Sequence, residues 1–229
     1  QHILRSWENA ISRLPASTLL FLNADDPAVC HLGERLPQKV SYFGLNEPER
    51  YLNSKPQAAD SIYCPDCDKR LNYSGFYLSH LGDYSCPQCS FKRKDPALQS
   101  SDWPQVSTDV YNKYNTMAAV SVAKEVGIDD EAIRSAILNF KPAFGRGESL
   151  AVDERKVVIL LSKNPVSMNE MIKRTCRMMR RGDVETILFA LNDEEMDGTD
   201  ISWIWDVDLE PLAGKGKTVV MSGSRAHEL

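Results

Sequence analysis

Two Cys-x-x-Cys pairs constrain this chain more than any other feature. Cys64-Pro65-Asp66-Cys67 is followed by eighteen residues and then by Cys86-Pro87-Gln88-Cys89. Each pair can turn back on itself and offer two sulfurs to one face of an ion. Four thiolates at tetrahedral corners suit Zn²⁺, a redox-inert, borderline-soft d¹⁰ cation. The intervening segment, from Arg70 through Tyr73, Phe76 and Tyr77 to Tyr84, alternates loosely and predicts short strands with a turn at Gly75. The pattern is that of a four-cysteine zinc ribbon over 62–92, with Cys64, Cys67, Cys86 and Cys89 holding a structural Zn²⁺. Two disulfides, an iron–sulfur cluster or a redox dithiol are competing uses of the same cysteines. Structural zinc supplies roughly 10–16 kcal/mol of apparent binding energy in small peptides, enough to fold an insert without a core of its own.

The 229 residues suffice for one large or two modest domains. A net charge of −5 argues against nucleic acid as a partner, because binders of that class carry a basic face. The basic triplet Lys92-Arg93-Lys94 at the ribbon's exit reads as a solvated edge. Cys30 and Cys176 stand alone in sequence and read as reduced, partly buried thiols, a usage that fits a reducing cytoplasm. The sequence reads without a signal peptide and without an apolar run long enough to span a bilayer. It opens at Gln1 without Met and stops in what reads as a helix start, so a piece of a longer protein is expected.

Helical spacing of Ile3, Leu4, Trp7, Ile11 and Leu14 predicts a first helix. The apolar run Thr18–Asn23 predicts a strand buried on both faces, and it ends in the polar turn Asn23-Ala24-Asp25-Asp26-Pro27. In open α/β sheets ligands sit at that carboxyl edge. Lys39–Gly44 predicts a second, shorter strand, and the ribbon that follows interrupts this α/β pattern as an insert. Beyond an irregular stretch over 95–108, Tyr111–Val126 predicts a helix stopped by Gly127, and Asp129 caps another that ends before Pro142. Phe144-Gly145-Arg146-Gly147-Glu148 predicts a glycine-flanked joint between a domain at 1–143 and one at 144–229. The second part alternates strand (157–161), helix (167–181), strand (186–191), acidic loop and strand (218–221). That order implies parallel pairing with right-handed crossovers.

Three places could carry chemistry, each with a plainer use. Asn112-Lys113-Tyr114-Asn115 opens a helix, where amide side chains and free backbone N–H groups can hold a polar ligand or simply cap the helix. Arg146, set between glycines, could reach a phosphate or serve as a solvated linker residue. The loop after Leu191 holds Asp193, Asp197, Asp200, Asp206 and Asp208, too many carboxylates for one small core, with Trp203 and Trp205 among them on one side of an expected strand. That arrangement reads as an adhesive patch or as a solvated loop over buried tryptophans. No GxxxxGK[ST], GxGxxG or HExxH motif occurs.

Several strings together resemble a known family. They are Leu22-Asn23-Ala24-Asp25-Asp26-Pro27, Tyr111-Asn112-Lys113-Tyr114-Asn115, Gly145-Arg146-Gly147-Glu148, Ser162-Lys163-Asn164-Pro165 and, most specific, Asp197-Gly198-Thr199-Asp200-Ile201-Ser202-Trp203-Ile204-Trp205-Asp206-Val207-Asp208. With the ribbon, they are similar to the MurT family, Mur-ligase-like subunits of bacterial lipid II isoglutaminyl synthase, along nearly the whole chain. The resemblance implies an α/β architecture: a partial Mur-ligase-like central domain with the inserted ribbon, then a Rossmann-like C-terminal domain. It implies a ligase that uses ATP and Mg²⁺ to phosphorylate the α-carboxylate of D-glutamate in the lipid II stem peptide. Ammonia then displaces phosphate and leaves D-isoglutamine.

The implied partner is a class I glutaminase subunit, GatD, with lipid II at the cytoplasmic face of the membrane as substrate and no nucleic acid. Asp200 carries over as the third member of a triad whose cysteine and histidine come from the partner. Asn112, Asn115, Arg146, Lys163 and Asn164 carry over as nucleotide- or substrate-side residues. The family's phosphate-binding loop and catalytic acidic residues are expected upstream of Gln1. Two other readings compete: a non-catalytic zinc-ribbon module for protein or RNA, and an amino-acid-adding Mur ligase.

Overall fold

The computed structural model describes residues 2–52, 61–107, 109–141, 146–195, 198–213 and 218–228. The chain forms two compact units, Gln1–Phe140 and Lys141–Leu229. Phe144 and Gly145 of the expected joint, and Asp197 of the acidic loop, lie outside the described residues.

In the first unit, helix α1 (His2–Ile11) leads into strand β1 (Leu19–Asn23), helix α2 (Pro27–Arg35) and strand β2 (Lys39–Gly44). Asp26 caps α2: its Oδ1 accepts the N–H groups of Ala28 and Val29, and Pro27 occupies the first turn, where no N–H is needed. Strands β1 and β2 pair in parallel, Leu19 opposite Lys39 through Asn23 opposite Phe43. The excursion from β2 contains the antiparallel pair β3 (Asn72–Leu78) and β4 (Leu81–Ser85). The chain then returns to β5 (Leu98–Gln99), which pairs in parallel with β2. The order β1-β2-β5 puts β1 at an edge of the described sheet. The residues of β1 are half-buried.

The ribbon's turn falls at Ser79-His80, between β3 and β4, and not at Gly75. Gly75 lies within β3, and a Cβ there would sit 2.1 Å from the ring of Tyr51. It makes room for an aromatic ring instead of reversing the chain. Helices α3 (Val110–Glu125) and α4 (Asp130–Leu138) follow, the second capped by Asp129 as its sequence indicates. Tyr114, Met117 and Val120 of α3 pack with Phe43, Leu45, Tyr77, Trp103 and Ile133 into the main core. A second core joins Cys30 of α2 to Cys64, Leu71, Tyr84 and Phe91 of the ribbon. The ribbon thus shares its core with the α/β layer beneath it.

The second unit opens with the antiparallel hairpin β6 (Arg146–Val152) and β7 (Arg155–Leu160). Arg146-Gly147-Glu148 is consequently strand, and β7 pairs back with β6 instead of entering a parallel ladder. Seven residues after Arg146, the chain reverses at Asp153-Glu154 and returns along β7, a local pairing that the expected linker did not include. Helix α5 (Pro165–Arg181) carries Arg180 and Arg181 in its last turn, where cations complement the helix dipole. Strands β8 (Thr186–Ala190) and β9 (Thr218–Ser222) pair in parallel. Ile172, Cys176 and Met179 of α5 pack with Leu212, Ile187 and Val207. The chain after Gly223 forms a short 3₁₀ turn, Ala226–Glu228.

Candidate functional site

The four ribbon cysteines come together. Cys64 Sγ lies 3.5 Å from Cys89 Sγ, Cys67 Sγ 3.4 Å from Cys86 Sγ and 3.8 Å from Cys89 Sγ. A tetrahedron with metal–sulfur bonds of about 2.3 Å has sulfur–sulfur edges of about 3.8 Å, so this cluster fits a Zn²⁺-sized ion. The backbone agrees: the N–H groups of Gln88 and Cys89 both point at Cys86 Sγ at 3.4 Å. Burial pushes the Cys86 thiol up, but those N–H groups outweigh it and bring its pKa down to about 6, while burial raises Cys64 to about 12. His31, Glu34 and Asp66 form a second close group beside the ribbon, where Lys94 already pairs with Glu34.

The carboxyl edge of the β1-β2-β5 sheet gathers a different kind of chemistry. Asp25, fully buried, accepts from Arg93 Nε at 2.6 Å, Tyr114 OH at 2.8 Å and the Leu45 N–H at 2.9 Å. Burial raises its carboxyl pKa, against the pull of Arg93, Leu45 and Tyr114. Gly44 permits this approach, since a Cβ there would meet Asp25 Oδ1 at 2.7 Å and Arg93 Nη2 at 2.9 Å. Next to it, Lys113 Nζ contacts both oxygens of Glu47, at 2.6 and 2.8 Å, and Ser100 Oγ donates to the same carboxylate. Burial pushes Glu47 up, but Lys113, Ser100 and Arg50 together hold it below the ordinary glutamate value.

Asn112 and Asn115 ride on the first turns of α3 at this edge. Asn112 Nδ2 donates to Ser107 Oγ at 3.0 Å, and Asn115 is exposed. The remaining sequence-predicted residues stand on the second unit. Arg146 opens β6; Lys163 is exposed; Asn164 is the N-cap of α5, its Oδ1 accepting the Ser167 N–H at 2.9 Å. Asp200 is exposed, and its Oδ1 accepts the Ser202 N–H at 2.9 Å. Hydrogen bonds from the Ser202 hydroxyl and N–H hold its pKa below the ordinary aspartate value.

After Asp200 comes a 3₁₀ turn, Ser202–Asp206, where a strand is expected. The tryptophans therefore do not share one face: Trp203 packs against Leu191, Ile201 and Ile204, whereas Trp205 is 73% exposed. Asp193 is tied down by Arg225 at 3.0 Å and Ser224 at 2.8 Å.

Three functional-edge residues escape a reading of the sequence. Arg93 sits in a basic triplet that looks solvated, yet its side chain is 15% exposed and paired with Asp25. Lys113 and Glu47 are 66 residues apart, so no local pattern announces their pairing.

Comparison with known proteins places the fold first. The chain superposes on the pseudomurein peptide ligase type C of Methanothermus fervidus with a TM-score of 0.64 and 21% identity, over 99% of this chain and 49% of that one. The architecture is therefore a mixed α/β fold shared with a peptide ligase. Residues 161–229 match the family described as MurT ligase C-terminal. The chain is 29% identical over 226 residues to the lipid II isoglutaminyl synthase (glutamine-hydrolyzing) subunit MurT of Staphylococcus aureus, covering 92% of this chain and 50% of that protein. It is 27% identical to the subunit of the same name from Streptococcus pneumoniae, over 96% of this chain and 52% of that protein. The resemblance to MurT read from the motifs is borne out, and the chain spans about half the length of the curated relatives it matches. No described helix is long and apolar enough to cross a membrane.

Proposed function

We propose that this chain is about half of a ligase subunit that amidates the D-glutamate α-carboxylate of the lipid II stem peptide. In this reading a carboxylate oxygen attacks the γ-phosphorus of ATP and ADP departs. Ammonia then attacks the acyl carbon of the resulting acyl phosphate, phosphate leaves with its bridging oxygen, and the nitrogen loses a proton. Activation is needed because a carboxylate repels nucleophiles and has no good leaving group. Mg²⁺ would accompany ATP, and the reaction would run at the cytoplasmic face of the membrane.

The observation that carries the reading is Asp200. It lies in a segment matching the MurT family, is exposed, and is held ionised by the Ser202 donors. A carboxylate so placed can accept the ring N–H of a histidine from a glutaminase partner of the GatD type and stabilise its cationic form. Asn112 and Asn115, at the carboxyl edge of the first unit, would face the nucleotide, and Arg146, Lys163 and Asn164 the nucleotide or the peptide. The domains would be 1–143 and 144–229. Cys64, Cys67, Cys86 and Cys89 would hold Zn²⁺ as a cross-link without a part in the chemistry. The shared core of ribbon and α2 speaks against a detachable protein- or RNA-binding module.

The test is glutamine hydrolysis and lipid II amidation by the full-length protein with its glutaminase, wild type against Asp200→Asn. Loss of hydrolysis with the complex intact is the expected result. Undiminished hydrolysis would remove Asp200 from the triad.

A further inference from the structure

The ribbon does more than fold. Three of its residues, and Arg93 just past its end, reach the Asn23–Asp26 turn at the carboxyl end of β1. The Gly82 N–H donates to Asp25 O at 2.9 Å, and Tyr84 OH donates to Ala24 O at 3.1 Å. His80 Nε2, from the hairpin turn, lies 3.3 Å from Asp26 Oδ2, on the carboxylate that caps α2. Arg93 makes the most contacts. Its own N–H donates to Tyr84 O, which ties it to β4 four residues past Cys89. Its guanidinium then spans Asp25 Oδ1 at 2.6 Å and Leu45 O at 2.7 Å.

The chain of contacts continues away from the ribbon. Asp25 Oδ2 accepts Tyr114 OH at 2.8 Å. Tyr114 lies between Asn112 and Asn115 on the first turns of α3. The middle of this path, Arg93 to Asp25 to Tyr114, consists of buried, charge-assisted hydrogen bonds, which are short and directional. Phe91, between Cys89 and Arg93, stacks on Tyr84 at 5.7 Å between ring centres and fixes the chain from which Arg93 projects.

We propose that Arg93 is a positioning residue through which the metal-dependent fold of the ribbon sets the start of α3, so that metal occupancy tunes nucleotide affinity. For the nucleotide this rests on the ligase reading above; for the coupling it does not. Removing the metal frees the Phe91–Arg93 segment, Asp25 loses its cationic partner inside the core, and Tyr114 loses a fixed acceptor. Asn112 and Asn115 then lose their register. The guanidinium is suited to this because its planar fork bonds the carboxylate and a carbonyl at once, which an ammonium cannot do with the same geometry.

The experiment uses full-length protein, wild type, Arg93→Ala and Arg93→Lys, each with its metal content measured. Three quantities are read: zinc per chain, amide hydrogen exchange over 23–26 and 110–117, and affinity for the non-hydrolysable analogue adenylyl imidodiphosphate. Arg93→Ala is expected to keep its zinc, to speed exchange in both segments and to weaken the analogue about tenfold, the scale of one lost charge-assisted hydrogen bond. Chelating the metal from wild type should reproduce those changes, and chelation of Arg93→Ala should add nothing further in the two segments. Arg93→Lys should fall between.

Unchanged exchange in Arg93→Ala overturns the proposal. So does additivity of chelation and substitution, or loss of zinc from the variant, which would make Arg93 part of the ribbon's own stability. If Arg93→Ala does not fold, Arg93→Lys is read in its place: exchange accelerated in those two segments supports the coupling, and none overturns it. A wild-type protein that ignores the analogue defeats the ligase reading, while the exchange data still decide the coupling.

Discussion

The carboxyl edge of the first unit and the acidic loop of the second both gather carboxylates, and they treat them oppositely. Asp25 and Glu47 are buried and fully engaged by Arg93, Tyr114, Lys113 and Ser100. Asp200 and Asp206 are exposed, with Trp205 beside them 73% exposed. A buried charge is tolerated only when its partners replace the water it lost, so the first set is bound into the fold and has no spare valence. The exposed set costs nothing to leave open and keeps acceptor capacity for another molecule. Ionisable groups in one chain thus divide into those bound into the fold and those left open to solvent, and burial separates them.

That contrast can be broken by substitution, beginning with the largest effect. Cys64→Ser should cost the ribbon its metal and loosen the core that it shares with α2, while the main core around α3 stays packed; zinc analysis with circular dichroism checks it. The second unit has its own core of α5 residues and should persist. Asp200→Asn should leave thermal stability within about 0.5 kcal/mol of wild type while glutamine hydrolysis by the complex falls by up to about 10⁴, the scale seen for the corresponding aspartate in a serine protease. Lys113→Met leaves Glu47 with Arg50 as its remaining cation and should cost about 3 kcal/mol in denaturant unfolding. Adding Glu47→Gln should restore most of that, which an exposed pair would not do. Trp205→Ala should leave stability alone and weaken the complex by about 2 kcal/mol, measured by titration calorimetry.

The smallest effect is a pH dependence. Because Glu47 is held below its ordinary value of 4.5, its stabilising contribution is complete above pH 4.5 and is lost as the pH falls through the depressed folded value. The gap in melting temperature between wild type and Glu47→Gln should accordingly be constant above about pH 5 and narrow below 4.5. A gap that widens on acidification would reverse the assignment of the pair.

Much of the architecture is written in local signals. The caps Asp26, Asp129 and Asn164 announce α2, α4 and α5, and the cysteine spacing announces the cluster, because each is a short-range rule about orphan N–H groups or sulfur geometry. What stayed hidden depends on distant partners. Arg93 looks solvated until Asp25, 68 residues away, is brought to it. Gly75 reads as a turn until the Tyr51 ring is seen to need its place. Trp203 and Trp205 alternate as a strand would, but no partner strand pairs with them among the described residues, and the backbone tightens into a 3₁₀ turn instead. Asp200 is singled out by family resemblance alone, and its exposure is what the structure adds.

The placement of the ribbon between β2 and β5 also has a kinetic consequence. Phe43 must find Leu98 across the whole excursion before the third strand can dock. Joining Cys64 to Cys89, 25 positions apart, removes roughly half of that free length, which lowers the entropy of closure by only about 0.6 kcal/mol. The larger gain is in sequence of events. A hairpin knotted early presents Tyr84 and Arg93 as a ready surface on which the Asn23–Asp26 turn can settle, so refolding in the presence of metal should outpace refolding with a chelator by more than loop length alone accounts for.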